Sequence, residues 1–259
     1  MERPLGFIPT MGALHTGHLR LVRTARADCQ RVLSSIFVNP LQFGASEDFE
    51  RYPRQMEEDI DVLKRSGVDV LFTPDAESMF PPDFSTFVDV GSIATSFEGA
   101  ARPNHFRGVA TIVMKLLGIV APDALYLGQK DAQQTAVVRK LVRDLNVPVS
   151  IRIVGTVRES DGLAFSSRNV YLNEEDRCAA PSLYRALQEV HAKLLNGHPR
   201  EAALQGGRVA LSPHAALEYM ELVDGDTFRV LPEMRPPAFI IGAARFGNTR
   251  LIDNIWISQ

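Results

Sequence analysis

The sequence predicts an α/β protein: a parallel sheet with helices on both faces, then a smaller C-terminal α/β domain with antiparallel strands. Three observations lead there. Apolar runs alternate with amphipathic stretches through the first 155 residues, which is how a chain of β-α units is written. Those runs are apolar without clean alternation, the mark of parallel strands buried on both faces. After about residue 156 the texture changes to a polar loop, a long helical stretch and three runs that read as antiparallel strands. The expected division is a Rossmann-like domain over 1–156 and a smaller C-terminal lid domain over 157–259. No repeat, low-complexity tract or long linker separates them, so the two are expected to form a cleft.

Residues 5–9 read as the first strand, 16–28 as a helix and 32–38 as a buried strand. A helix over 54–66 and a strand over 68–72 follow, then a Pro-rich connection through Pro81 and Pro82 and a strand over 86–90. Residues 106–120 read as a buried helix, 124–127 as a strand, 132–145 as a helix and 149–154 as a strand. Beyond the boundary, the helical stretch 174–195 carries Pro181 near its start, where proline interrupts or offsets a helix. A helix over 200–211 and strands over 217–223, 238–244 and 250–257 complete the chain.

Composition narrows the function. Of 259 residues, 45% are hydrophobic and 23% charged, which is a globular balance rather than a disordered or fibrous one. Lys and Arg total 28 against 31 Asp and Glu, a net charge of -3 without the basic excess that marks nucleic-acid or anionic-membrane binding. Any polyanion must therefore be met by a local site. Cys29 and Cys178 form no CxxC, which suits a reducing compartment, and both read as small core residues. No apolar run approaches the roughly 18–20 residues that span a bilayer, and no basic-then-apolar signal opens the chain. The expectation is a cytoplasmic protein with no membrane or nucleic-acid partner.

The first strand-to-helix junction, Pro9-Thr10-Met11-Gly12-Ala13-Leu14-His15-Thr16-Gly17-His18, is the most informative stretch. It aims free N–H groups and the positive end of a helix at the carboxyl edge of the sheet, where open α/β sheets bind ligands. His15 and His18 lie three positions apart, so both imidazoles can face one anion, and Gly17 leaves room for a ring or a phosphate. A bare HxxH is also a zinc fragment or plain helix decoration, but a third zinc ligand nearby is missing. Neither GxxxxGK[ST] nor GxGxxG follows the strand, which removes the main support for P-loop and dinucleotide readings. Imidazole donors beside a helix N-terminus suit charge building at an α-phosphate.

PTMGALHTGH resembles the HxGH site of the nucleotidylyltransferase superfamily shared with class I aminoacyl-tRNA synthetases. Further stretches are similar to one family in it, the pantoate:β-alanine ligases. They are Phe37 to Phe43 (FVNPLQF), Arg51 to Arg54 (RYPR), Glu98 to Val109 (EGAARPNHFRGV), Leu127 to Gln134 (LGQKDAQQ), Arg158 to Asn169 (RESDGLAFSSRN) and Thr249 to Asn254 (TRLIDN). The resemblance runs in order from residue 7 to residue 254. It implies an ATP-dependent carbon–nitrogen ligase of pantothenate and coenzyme A biosynthesis. Such a ligase condenses pantoate with β-alanine through a pantoyl adenylate, releasing pyrophosphate and then AMP.

Residue by residue, the resemblance implies catalytic roles for His15, His18, Lys130, Ser166, Ser167 and Arg168. It puts Pro9, Thr10, Met11, Gly128, Asp131, Val157 and Phe165 on the ATP side, together with His18, Lys130 and the Ser166–Arg168 group. Pantoate falls to Gln42, Gln134, Asn39 and Met11. It further implies a homodimer, while the lack of clustered carboxylates beside the motifs predicts Mg²⁺ bound through ATP phosphates and no protein metal site. The residues themselves leave alternatives open. Lys130 past a strand end can reach phosphates or be a solvated lysine, and Asp131 can bind ribose or merely cap a helix. Ser166, Ser167 and Arg168 form a donor cluster on a polar loop, which alone is ordinary loop chemistry. By resemblance Arg102 anchors interdomain or loop contacts, while His105 reads as a satisfied structural histidine. Gln129, Gly155 and Phe165 stand where the family usually has Glu, Pro and Leu or Met. The family also carries a helical segment before the first strand, whereas Phe7 already lies in that strand here. Two other readings remain: a nucleotidylyltransferase that keeps the nucleotide on its product, and an inactive nucleotide-binding module.

Overall fold

In chain order the first part runs β1 (Leu5–Thr10), α1 (Thr16–Asp28), β2 (Arg31–Ile36), α2 (Met56–Arg65), β3 (Val70–Phe72), α3 (Ala76–Met79), α4 (Glu98–Ala101), α5 (His105–Val120), β4 (Ala124–Gly128), α6 (Ala132–Asp144) and β5 (Ser150–Val154). This computed structural model describes residues 2–44 and 49–258. By contact, the chain divides into two units. One runs up to Gly128 and continues as Gln133–Gly155; the other comprises Gln129–Ala132 and the chain from Thr156 onward.

The first unit holds a five-stranded parallel sheet in the order β3-β2-β1-β4-β5. α1 and α2 cover one face, and the right-handed rule for parallel crossovers assigns α5 and α6 to the other. On the first face Ile8, Val32, Ile36, Tyr126 and Val154 pack with Leu21, Val22 and Ala25 of α1 and Leu63 of α2. Phe7, Leu33 and Leu125 alternate to the opposite face, where Val109 and Ala110 of α5 and Val137 and Leu141 of α6 are also buried. Each fully buried side chain of this size contributes roughly 1.5–3 kcal/mol relative to exposure. Burial on both faces holds for β1, β2 and β4. At the edges it does not: Val70 of β3 and Ile153 of β5 are exposed. The strand order reverses between β1 and β4, which puts the carboxyl ends Thr10 and Gly128 at the switch point.

The second unit contains α7 (Glu174–Ala179), α8 (Ser182–Leu195), α9 (Arg200–Ala210), β6 (Ala215–Asp224), β7 (Ala238–Phe246) and β8 (Thr249–Ile257). The three strands are antiparallel in the order β6-β7-β8. Ala186, Leu187, Val190 and Leu194 of α8 and Leu204 of α9 bury one face of that sheet against Met220, Leu222, Ile240 and Ile257. Pro181 separates α7 from α8, as its missing N–H dictates.

Two expectations fail. Residues 86–90 form no strand, because Val88 gives its N–H to the Thr111 hydroxyl of α5 at 3.0 Å instead of to a neighbouring strand. Cys178 is exposed rather than core, since α7 turns Ala179 inward; Cys29 is buried as expected. No helix among the described residues is long and apolar enough to cross a membrane.

Candidate active site

The turn after β1 is built by hydrogen bonds to otherwise orphaned backbone groups. Thr10 Oγ1 donates to the Ser35 carbonyl at 2.7 Å and accepts the Gly12 N–H at 3.2 Å. Gly12 (φ 80°) and Ala13 (φ 50°) both lie in the left-handed region, so the chain reverses sharply there. Ala13 N–H and Leu14 N–H then donate to the two oxygens of Asp59 at 2.8 and 2.9 Å. Asp59 sits on α2 and is 1% exposed. No sequence signal singled it out.

His15 is the N-cap of α1. Its Nδ1 accepts the Gly17 N–H at 3.1 Å, and the His15 N–H donates to His18 Nδ1 at 3.3 Å, a reciprocal cap made by two imidazoles. The rings lie 4.1 Å apart, centroid to centroid. A Cβ on Gly17 would come within 2.8 Å of the His15 ring, so the room that Gly17 leaves is taken by that ring. Because both Nδ1 atoms accept backbone N–H groups, each neutral ring carries its hydrogen on Nε2. Both histidines are therefore Nε2–H donors. Pro9 and Met11 flank Thr10 and are half-buried, whereas Thr10 is buried.

A short 3-10 turn, Pro40–Gln42, supplies the amides. Asn39, 1% exposed, caps it by accepting the Leu41 N–H at 3.2 Å, and donates from Nδ2 to Gln42 Oε1 at 3.1 Å and the Gly108 carbonyl at 3.2 Å. Gln42 Nε2 donates to the Met11 sulfur at 3.0 Å, so Asn39, Gln42 and Met11 form one chain. His105 Nδ1 donates to the Gln42 carbonyl at 2.8 Å, and Arg102 lies 3.1 Å from His105 Nε2 and 3.3 Å from the same carbonyl. On α6 the adjacent glutamines differ. Gln133 is buried and bonded to the backbone of Ile93, Ser96 and Glu98, whereas Gln134 is half-buried and its side chain makes no hydrogen bond to another described residue.

In the second unit, Lys130 and Asp131 lie on a 3-10 turn, their charges 3.4 Å apart. The loop 157–165 is a small hairpin: Phe165 N–H donates to the Val157 carbonyl at 3.0 Å, and Arg158 bridges Ala164. Ser166 caps the 3-10 turn Ser167–Tyr171 by accepting the Arg168 N–H at 3.3 Å. Val157, Phe165, Ser166, Ser167 and Arg168 are all half-buried. Lys130 and Ser166 line one pocket together with Asn169, Tyr184 and Asp253. Arg177 ties the loop down with bonds of 2.7 Å to Glu159 and 2.5 Å to Asp161. Burial pushes the Asp161 carboxyl up, but the Arg177 hydrogen bond, the Leu163 N–H and the Arg177 charge outweigh it and hold the group below its ordinary value.

Gly128 ends β4 in the first unit. Each unit thus gathers its own part of the expected set: imidazole and amide donors in the first, ammonium, hydroxyls and guanidinium in the second. All are suited to a polyanion or a hydroxy acid. Among the described residues no group of three or more His, Cys, Asp and Glu could hold a metal ion.

A family model described as pantoate-beta-alanine ligase matches residues 1–256. The chain is 51% identical to the pantothenate synthetase of Roseiflexus sp. (strain RS-1), over 98% of this chain and 92% of that one. Its fold is similar to the crystal structure of pantothenate synthetase from Thermus thermophilus, with a TM-score of 0.96 and 48% identity over 99% of this chain and 94% of that one. A pantoate-beta-alanine ligase from Francisella tularensis, complexed with beta-gamma ATP and beta-alanine, matches with a TM-score of 0.79 and 35% identity over 97% and 89%. With the family model spanning nearly the whole sequence and relatives at half identity, the chain belongs to the pantoate-beta-alanine ligase family.

Proposed function

We propose that this ligase condenses pantoate with β-alanine in two steps. A pantoate carboxylate oxygen attacks the α-phosphorus of ATP and pyrophosphate leaves; the β-alanine nitrogen then attacks the acyl carbon, the bond to AMP breaks and the amine proton passes to solvent. The observation that carries the assignment is that the Nδ1 atoms of His15 and His18 both accept backbone N–H groups, which assigns the ring hydrogens to Nε2. Two Nε2–H donors at a helix N-terminus stabilise the charge that grows on the non-bridging oxygens of the α-phosphate. Lys130, Ser166, Ser167 and Arg168 hold the polyphosphate, while Gly128, Asp131, Val157, Phe165 and Pro9 to Met11 bound the nucleoside side.

Pantoate fits the amides. Among the described residues the Gln42 side-chain donor meets a thioether and the Gln134 side chain has no hydrogen-bond partner, so both amides can bind a carboxylate and hydroxyls. Asn39 fixes Gln42 from behind. Mg²⁺ arrives on ATP, held by phosphate oxygens and water, because cationic and neutral donors of this kind suit anions rather than a cation. By family resemblance the working form is a cytoplasmic homodimer, to be read by sedimentation.

Incubation with ATP, Mg²⁺, pantoate and β-alanine tests the reading, with mass detection of products. Pantothenate and AMP in equal amounts are expected. An adenylylated product that keeps its nucleotide, or no turnover by a folded protein, would overturn it.

A further inference from the structure

The closing strand carries two polar residues that the reaction scheme leaves without a role. Asn254 of β8 is 2% exposed, yet three of its hydrogen bonds go to two consecutive residues far away in sequence. Its Nδ2 donates to the Gln129 carbonyl at 3.0 Å and the Lys130 carbonyl at 2.9 Å, and its Oδ1 accepts from Gln129 Nε2 at 3.2 Å. The amide orientation is fixed by these partners, since a flip would set Oδ1 against two carbonyl oxygens. The peptide that carries Lys130 is thereby clamped.

Its neighbour Asp253, 6% exposed, clamps the other half. Asp253 takes a two-pronged bond from Arg158, at 2.6 and 2.9 Å, and accepts the Asn254 N–H at 2.8 Å. Arg158 also donates to the Gly162 carbonyl at 3.1 Å, and its guanidinium stacks 3.4 Å from the centre of the Tyr184 ring. Arg158 bridges Ala164, whose carbonyl accepts from Asn169 at 3.1 Å, at the far side of Ser166, Ser167 and Arg168. Lys130, Ser166 and Asp253 line the same pocket.

We propose that Asp253 and Asn254 are positioning residues that fix Lys130 and the Ser166–Arg168 loop to a single strand, so that the phosphate ligands of the second unit are presented together. The proposal rests on the reading of Lys130 and Arg168 as phosphate ligands. Two bidentate or paired anchors on adjacent residues leave little freedom for one set to move without the other.

A double-mutant cycle on pantoate-dependent ATP–pyrophosphate exchange tests it, with melting curves for every variant. Asn254→Ala is expected to lower the exchange rate about tenfold, the size of coupling within one network, with KM for pantoate unchanged. Lys130→Ala should lower it about a hundredfold, as loss of a charge-stabilising donor does. The double variant should be no slower than Lys130→Ala alone, because Asn254 acts through Lys130. Asp253→Asn and Arg168→Ala should behave alike. Losses that multiply in the double variants would overturn the proposal, as would wild-type exchange in Asn254→Ala. Wild-type exchange in Lys130→Ala would instead overturn the reading of the lysine. If Asn254→Ala does not fold, Gln129→Met replaces it: that change removes only the bond orienting the Asn254 amide, and it should slow exchange severalfold in the parent and not at all in Lys130→Ala. Equal slowing in both backgrounds refutes the clamp.

Discussion

After β1 the chain is held by one buried carboxylate, Asp59, reaching two backbone N–H groups, whereas the loop before Ser166 is held by charged side chains reaching one another. Of the latter, Arg158 with Asp253 is mostly buried, while the side chains of Arg177, Glu159 and Asp161 are 32%, 30% and 38% exposed. The turn is thus fixed beyond the reach of salt, and the outer tether of the loop is open to screening. On the proposed reading, rigidity suits imidazoles that meet charge developing at one phosphorus. The loop keeps its buried clamp through Arg158 and Asp253, so salt loosens only the outer tether through Arg177.

The largest effect should come from the rigid side. His18→Ala is expected to lower adenylate formation by about a hundredfold or more while the melting curve barely moves, since it removes one charge-stabilising donor and one weak cap bond. Near-native pyrophosphate release from the folded variant would break the comparison at its first term.

Asp59→Asn comes next. An amide NH₂ would face the N–H of Ala13 or Leu14, leaving a buried donor unpaired, and stability should fall by about 2–3 kcal/mol. Activity should fall with it, and long-range nitrogen NMR should show His15 and His18 losing their single Nε2–H tautomer. A variant with unchanged tautomers and unchanged rate would show that the turn needs no carboxylate.

On the loop side, Arg168→Ala should slow adenylation and also raise the ratio of AMP to pantothenate above one, because an adenylate less shielded from water hydrolyses before the amine attacks. A ratio that stays at one separates anion binding from shielding.

The smallest effect belongs to Arg177→Ala, about 0.5 kcal/mol given the exposure of its partners, and less at high salt. The sign with pH is fixed by Asp161, whose folded value lies below its unfolded one. Its contribution is fully present above the unfolded value of about 3.9 and is lost as pH falls through the folded one. Melting curves of parent and variant should therefore differ at neutral pH and converge in acid. A gap that widens in acid would refute the tether.

Much of this was legible in the chain. α1 spans the residues its pattern marked, because His15 caps it and the apolar spacing of Leu21, Val22 and Ala25 is helical. The HxGH turn and the motif order announced the family. Asp59 was not legible, since on α2 it lies among Glu57, Glu58 and Asp61 and only the approach of Ala13 and Leu14 makes it different. Gln133 and Gln134 read alike in sequence, yet one is a backbone bracket and the side chain of the other meets no hydrogen-bond partner among the described residues. Residues 86–90 have strand composition, but Thr111 takes the donor that a ladder would need. Asp253 and Asn254 looked like the end of a motif. Their partners, Arg158 and Gln129, lie about a hundred residues away, where no local pattern can show them.

The bond from Gln42 to Met11 has a chemical consequence of its own. A thioether is a weak acceptor, so on the proposed reading a pantoate oxygen would displace it at little cost; a sulfoxide is polar and accepts strongly. Peroxide should therefore turn Met11 from a placeholder into a competitor for the Gln42 donor, raising KM for pantoate and leaving KM for ATP near its starting value. A Met11→Leu variant should be spared, and equal damage to both proteins would place the oxidised target elsewhere. Through that one sulfur, the oxidation state of the surroundings would reach the hydroxy-acid end of the reaction and leave the nucleotide end untouched.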